Sequence, residues 1–189
     1  MIVVTGATGN VGRPLIQSLA AAGEQVTAVS RRISDLPNDV PNGVPKGVRR
    51  LQADLSQPET LEPALHGAKA VFLLTAAEFL ANGNMKDVME VVEASGVERV
   101  VLLSSQGVGT KRHPSDLEDA VTQSGLGWTM LRPGNFASNA FQWPSRSALS
   151  GRWRPRSPTS LCRPSILMTS PRSPPLRSAT RVTPATSTR

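Results

Sequence analysis

The chain has 189 residues, 39% of them hydrophobic, with a formal net charge of +7 and a single cysteine. That length suits one ordinary domain with a core plus a tail, and a lone cysteine excludes an internal disulfide or a cysteine-rich metal site. No apolar run approaches the roughly 20 residues of a membrane span, and no basic leader precedes the first apolar stretch, so a cytoplasmic protein with no membrane partner is expected.

Short β-branched runs alternate with helical stretches. Ile2 to Thr5 reads as a buried strand and is followed by Gly6-Ala7-Thr8-Gly9-Asn10-Val11-Gly12. Residues 11–22 carry Leu15, Ile16 and Leu19 at helical spacing and stop at Gly23. Val26 to Ser30 is a second strand, which completes a βαβ unit. Residues 36–47 hold three prolines and two glycines and read as a loop. Val48 to Ala53 forms a third strand. Ser56, Pro58 and Glu59 then mark a helix start. Ala70 to Thr75 is a fourth strand, apolar enough to be buried on both faces. A helix over 85–94 ends at Gly96, and residues 100–104 make a fifth strand. Pro114 to Glu118 opens another helix with a capping box, closed by Gly125. Residues 128–131 give a sixth strand, ended by Pro133. The pattern predicts an α/β fold, a doubly wound and mostly parallel Rossmann sheet of about six strands.

The glycine cluster lies directly between a strand and a helix, the context a dinucleotide-binding turn requires. Gly6 allows the tight turn, Gly9 lets backbone approach a pyrophosphate, and Gly12 permits close helix–sheet packing. The second strand ends in Ser30-Arg31-Arg32 and not in the acid that usually holds the ribose hydroxyls of NAD. Two guanidiniums and a hydroxyl suit a 2′-phosphate, so NADP(H) is the preferred cofactor, with NAD(H) still open.

The spacing of Thr5-Gly6-Ala7-Thr8-Gly9-Asn10-Val11-Gly12 resembles the short-chain dehydrogenase/reductase superfamily. Val29-Ser30-Arg31-Arg32, Ala53-Asp54-Leu55, Ser124-Gly125-Leu126 and Trp128 to Phe136 narrow the resemblance to its atypical NmrA-like branch. The resemblance covers residues 1–141. It implies an NAD(P)H-dependent oxidoreductase of the quinone- or azo-reductase type, with a small-molecule electron acceptor as partner. A non-catalytic NADP(H)-binding redox sensor is the alternative. Carried onto this chain, the resemblance implies cofactor contacts from Gly6, Thr8, Gly9, Asn10, Val11, Gly12, Arg31, Arg32, Asp54, Leu55, Thr75 and Ala76. Asp54 would face the adenine, although its residue type serves equally as a helix cap.

The chain has no tyrosine, so the tyrosine–lysine proton donor of typical short-chain reductases is excluded and the catalytic residues stay unassigned. Hydride transfer to an electrophilic quinone demands less of the protein, because the cofactor supplies the chemistry. Ser104 and Ser105, at the end of the fifth strand, and Asn135 and Phe136 are the acceptor-side candidates. Either serine could instead satisfy backbone at the strand end. Lys111 and His113 read as pocket-facing or simply solvated.

The charge is unevenly placed. All 14 acidic residues lie at or before Asp119, whereas residues 142–189 hold nine arginines, ten serines and eight prolines with no acid. Residues 1–141 therefore carry a net −2, from twelve basic and fourteen acidic groups, and the tail carries +9. Such a tail cannot bury enough apolar surface to fold and is expected to be disordered. Acid-free Arg/Ser/Pro sequence is also what a GC-rich gene yields in a wrong frame. A frameshift near residue 142, replacing the substrate-binding C-terminal portion, is the favoured reading, and an inactive form of the enzyme is one expectation that follows from it. A genuine basic tail for nucleic acid is disfavoured, because it contains no folded basic module.

Overall fold

The computed structural model describes residues 1–35, 44–134, 136 and 167–169. Six parallel strands form the sheet: β1 (Ile2–Val4), β2 (Val26–Ser30), β3 (Arg49–Gln52), β4 (Ala70–Leu73), β5 (Arg99–Leu103) and β6 (Gly127–Arg132). These six run in the order β3-β2-β1-β4-β5-β6, and a seventh, short strand lies beyond β6. The chain moves outward from β1 to β3, then crosses back to β4 on the other side of β1. That reversal sets the topological switch point between β1 and β4, where doubly wound sheets bind ligands.

The helices are α1 (Gly12–Ala21), α2 (Glu62–Leu65), α3 (Ala77–Asn82), α4 (Met85–Ala94), α5 (Gln106–Gly109) and α6 (Asp116–Gln123). One apolar cluster joins Leu61, Leu65, Val88, Val92 and Val121 to Val3, Val71, Val100 and Leu102 of the sheet. A second packs Ile16 of α1 against Val4, Val26, Ala28 and Phe72. Burial on both sides explains why β2 is buried along its whole length. Among the described residues no helix is long and apolar enough to cross a membrane.

The expected strands and the helix over 85–94 are present within a residue or two. The helix expected after Ser56 is a short 3-10 turn, Pro58–Leu61, running into α2. Pro63 explains part of this, since its ring and missing N–H limit the helix to a brief segment. The expected capping box at Ser115 is absent. Its hydroxyl donates to the Asp119 carboxylate at 2.7 Å and caps no backbone N–H. Two short helices, α3 and α5, were not anticipated.

The tail also departs from the sequence reading at one place. Leu167–Thr169 forms β7, antiparallel to β6, with Leu131 opposite Met168. Leu167 and Met168 belong to the tail's longest apolar run, and β6 offers an open edge for backbone pairing. The rest of the segment expected to be disordered, and residues 36–43 of the expected loop, lie outside the described residues.

Leu102 is fully buried at the centre of the larger cluster. Leu102→Ala is expected to lower stability by about 2–5 kcal/mol, read as a shift in the urea unfolding midpoint at unchanged slope.

Candidate dinucleotide site

The site begins where β1 ends. Thr5 is buried, and its hydroxyl donates to the Phe72 carbonyl at 3.1 Å while accepting the Leu74 N–H at 2.8 Å. This one side chain ties the end of β1 to the end of β4. Gly6 then turns with φ +64°, a left-handed conformation costly for residues with a Cβ. The Ala7 N–H donates to the Val29 carbonyl at 3.0 Å, so the turn is also pinned to β2.

Close packing makes the third glycine obligatory. A Cβ on Gly12 would lie 2.2 Å from the Gly6 carbonyl oxygen and 3.0 Å from Ala7 Cα. Both neighbours are backbone and cannot move aside. The Gly9 N–H closes the turn on the Gly6 carbonyl at 2.9 Å. The N-terminus of α1 has no side-chain cap and no acid in its first turn. Backbone N–H groups and the helix dipole there favour an anion.

A cleft runs from Gly6, Thr8 and Gly9 past Ser30 and Arg31 to Asp54 and Ala76. Ser30 is buried, and its hydroxyl sits 3.1 Å from that of Thr8 and accepts the Arg32 N–H at 3.3 Å. The end of β2 is thereby shaped around the glycine turn. Arg31 is exposed and pairs with Glu78 of α3; the hydrogen bond and charge of Glu78 raise its already high pKa. Sequence reasoning missed Glu78, because the two residues lie 47 apart and no local pattern links them.

Of the expected cofactor residues, Gly6, Thr8, Gly9, Arg31, Asp54, Leu55 and Ala76 line this cleft. Asn10 and Arg32 are exposed beside it, Val11 and Gly12 lead into α1, and Thr75 is half-buried just beyond β4. Asp54 is not the helix cap its residue type also allowed: its Oδ1 accepts the Ser56 N–H at 3.0 Å within the loop, and the following 3-10 turn starts at Pro58 with Gln57 as its N-cap.

The acceptor-side candidates divide. The Ser104 hydroxyl donates to the Glu118 carboxylate, which Arg132 grips with both Nε (2.9 Å) and a terminal nitrogen. Ser104 and Arg132 are therefore committed to holding α6 against the ends of β5 and β6. Ser105 lies 3.1 Å from Nδ1 of exposed His113. The intervening Lys111 adopts φ +58°, unusual for a residue with a side chain, and helps return the loop toward Ser105. Phe136 is exposed, and Asn135 lies outside the described residues.

Glu118 is buried, and burial alone would raise its pKa. Hydrogen bonds from Arg132 and Ser104 outweigh that effect and lower it.

A strand–glycine turn–helix at the switch point of a doubly wound sheet, with a cleft along the neighbouring strand ends, defines a dinucleotide-binding Rossmann domain. A family model described as NAD(P)H-binding matches residues 6–146, and the chain belongs to that family. It is 36% identical over 150 residues to (4-alkanoyl-5-oxo-2,5-dihydrofuran-3-yl)methyl phosphate reductase of Streptomyces griseus, covering 76% of this chain and 50% of the relative. Quinone oxidoreductase 2 of Escherichia coli is 26% identical over 147 residues, covering 74% and 50%. The solved NADPH complex of an NADPH-dependent quinone oxidoreductase from Escherichia coli superposes with a TM-score of 0.65 at 24% identity, covering 80% and 55%, and supports the fold. The chain spans about half the length of these relatives.

Gly12→Ala is expected to abolish measurable dinucleotide binding and to destabilise the domain, checked by titration and thermal melting. Gly23→Ala, at φ +81° with open space around it, should cost about 1 kcal/mol and leave binding intact. Because the folded pKa of Glu118 is depressed, its contribution is present above the unfolded carboxylate range and lost as pH falls through the folded value. Glu118→Gln should therefore flatten the acid limb of a stability–pH profile measured below about pH 4.3.

Proposed function

We propose that this domain binds NADP(H) in preference to NAD(H), and that the protein transfers hydride from NADPH to a quinone-like acceptor. The observation that carries the cofactor preference is the end of β2. Ser30, Arg31 and Arg32 stand where an NAD site usually places an acid, beside a glycine turn shaped for a pyrophosphate. Arg31 can offer a planar fork to a 2′-phosphate once it leaves Glu78. Supporting names among the relatives are the quinone oxidoreductase and an NADPH-bound structure of that type.

When bound, the nicotinamide supplies the hydride. The chain's own task is to orient the ring at the ends of β4 and β5 and to manage the proton. Gly6, Gly9 and the start of α1 would hold the pyrophosphate. Asp54, Leu55 and Ala76 would border the adenosine end, and Asn10, Val11 and Thr75 the stretch between it and the ring. The Ser105–His113 pair would hydrogen-bond an acceptor oxygen and donate a proton to it, the part a tyrosine plays in typical short-chain reductases; the 3.1 Å contact between the two supports this reading. Phe136, exposed beyond β6, and Asn135 would complete the acceptor side.

The redox-sensor alternative shares the cofactor site but predicts no turnover. An NADPH-oxidation assay with a quinone panel, run beside a binding titration, separates the two. Quinone-dependent oxidation supports the reductase; tight NADPH binding with no oxidation by a full-length protein supports the sensor.

Glu78 competes with a 2′-phosphate for Arg31. Glu78→Gln is expected to tighten NADPH binding a few-fold while leaving NADH unchanged, the modest scale of an exposed ion pair. Arg31→Asp should weaken NADPH about tenfold or more and narrow the preference. Equal or tighter NADH binding to the unaltered chain would contradict the assignment of β2.

A further inference from the structure

The match to the family model ends at residue 146, and beyond Phe136 the described chain contributes only β7. The codons under β7 carry information the amino acids do not display. Methionine is encoded only by ATG and every threonine codon begins AC, so Met168–Thr169 is written ATG-ACN. Read from the second base, this gives TGA, a stop. Read from the third base, it gives GAC, an aspartate. One alternative frame is therefore closed at this point, and the other necessarily contains the residue class that the tail lacks.

In that open frame each codon takes the last base of one present codon and the first two of the next. The serine junctions Thr169–Ser170, Arg172–Ser173 and Arg177–Ser178 become NTC when serine is TCN, which encodes only Val, Ile, Leu or Phe. Ser170–Pro171, Ser173–Pro174 and Pro174–Pro175 become NCC, and with arginine as CGN Pro171–Arg172 and Leu176–Arg177 become NCG. Both encode only Ala, Thr, Pro or Ser. Just before the obligatory aspartate, Leu167–Met168 gives NAT, which is Asp, Asn, His or Tyr. After the last apolar position, Ser178–Ala179 gives NGC, which includes glycine.

The resulting pattern is an obligatory aspartate preceded by Asp, Asn, His or Tyr, then apolar residues at i, i+3 and i+8 separated by Ala, Thr, Pro or Ser, and a position open to a glycine stop. Those are the marks of a helix with one apolar face. The chemistry of the code explains the composition as well. An alanine codon read one base late becomes CN followed by the next codon's first base, giving Pro, Arg, Leu, Gln or His, and GTC read one base late becomes a serine codon.

We propose that the chain from about residue 142 is read one base late. The gene's other open frame then encodes, across the bases of codons 167–179, an Asp-capped helix of the folded protein. This inference is independent of the cofactor and substrate assignments. It makes β7 a pairing of out-of-frame sequence with the open edge of β6, and it places the acceptor-side remainder of the protein in the other frame.

Sequencing the gene from source DNA tests it, with protein-level mapping as a second readout. The expected result is one additional base, or two fewer, near codons 139–146, with the GAC frame open past codon 179. Asp-N digestion of protein from the source cells should then cut beyond Asp119. Source DNA that encodes the present tail without an insertion or deletion overturns the proposal. So does an intact 119–189 fragment, which this acid-free tail would leave.

Discussion

The structure depends on a steric closure: α1 starts so close to the first turn that position 12 has no room for a side chain. The Gly6 carbonyl oxygen lies 2.2 Å from where a Cβ on Gly12 would stand. That contact sets the angle at which α1 leaves β1 and so aims its uncapped N-terminus across the strand ends. Thr5 fixes the same turn from the β4 side and Ala7 from the β2 side. Helix direction, switch point and anion site are therefore consequences of one close approach between backbones.

A second rigid element governs the opposite side of the site. Glu118, Arg132 and Ser104 join α6 to the ends of β5 and β6 through a part-buried, charge-assisted network. Two of its members were legible in the sequence, and only as separate local features: a capping-box glutamate and a candidate ligand serine. Their joint role depends on contacts across 14 residues, which no periodicity encodes. Glu118 in the first turn of α6 caps nothing, because its carboxylate is drawn inward by Arg132.

What the sequence did reveal follows from the same distinction. Apolar runs such as 70–73 and the glycine stops at Gly23, Gly96 and Gly125, all at positive φ, are local and were readable. The glycine turn was readable because its strand and helix are adjacent in the chain. The Arg31–Glu78 pair was not, since α3 has no strong period and reaches β2 only through the fold. Short elements such as α3 and α5 carry too few turns to leave a pattern. In the tail, the legible feature is composition, nine arginines and no acid over residues 142–189, and the proposed shift of reading frame rests on it.

The central claim is that the glycine turn and the end of β2 together hold a dinucleotide. Amide chemical-shift mapping of the isotope-labelled chain during NADPH titration tests it most directly. The account predicts saturable shifts concentrated at Gly6, Gly9, Val11, Gly12, Ser30, Arg31 and Asp54. Absence of saturable shifts, or shifts centred away from the ends of β1 and β2, would contradict it.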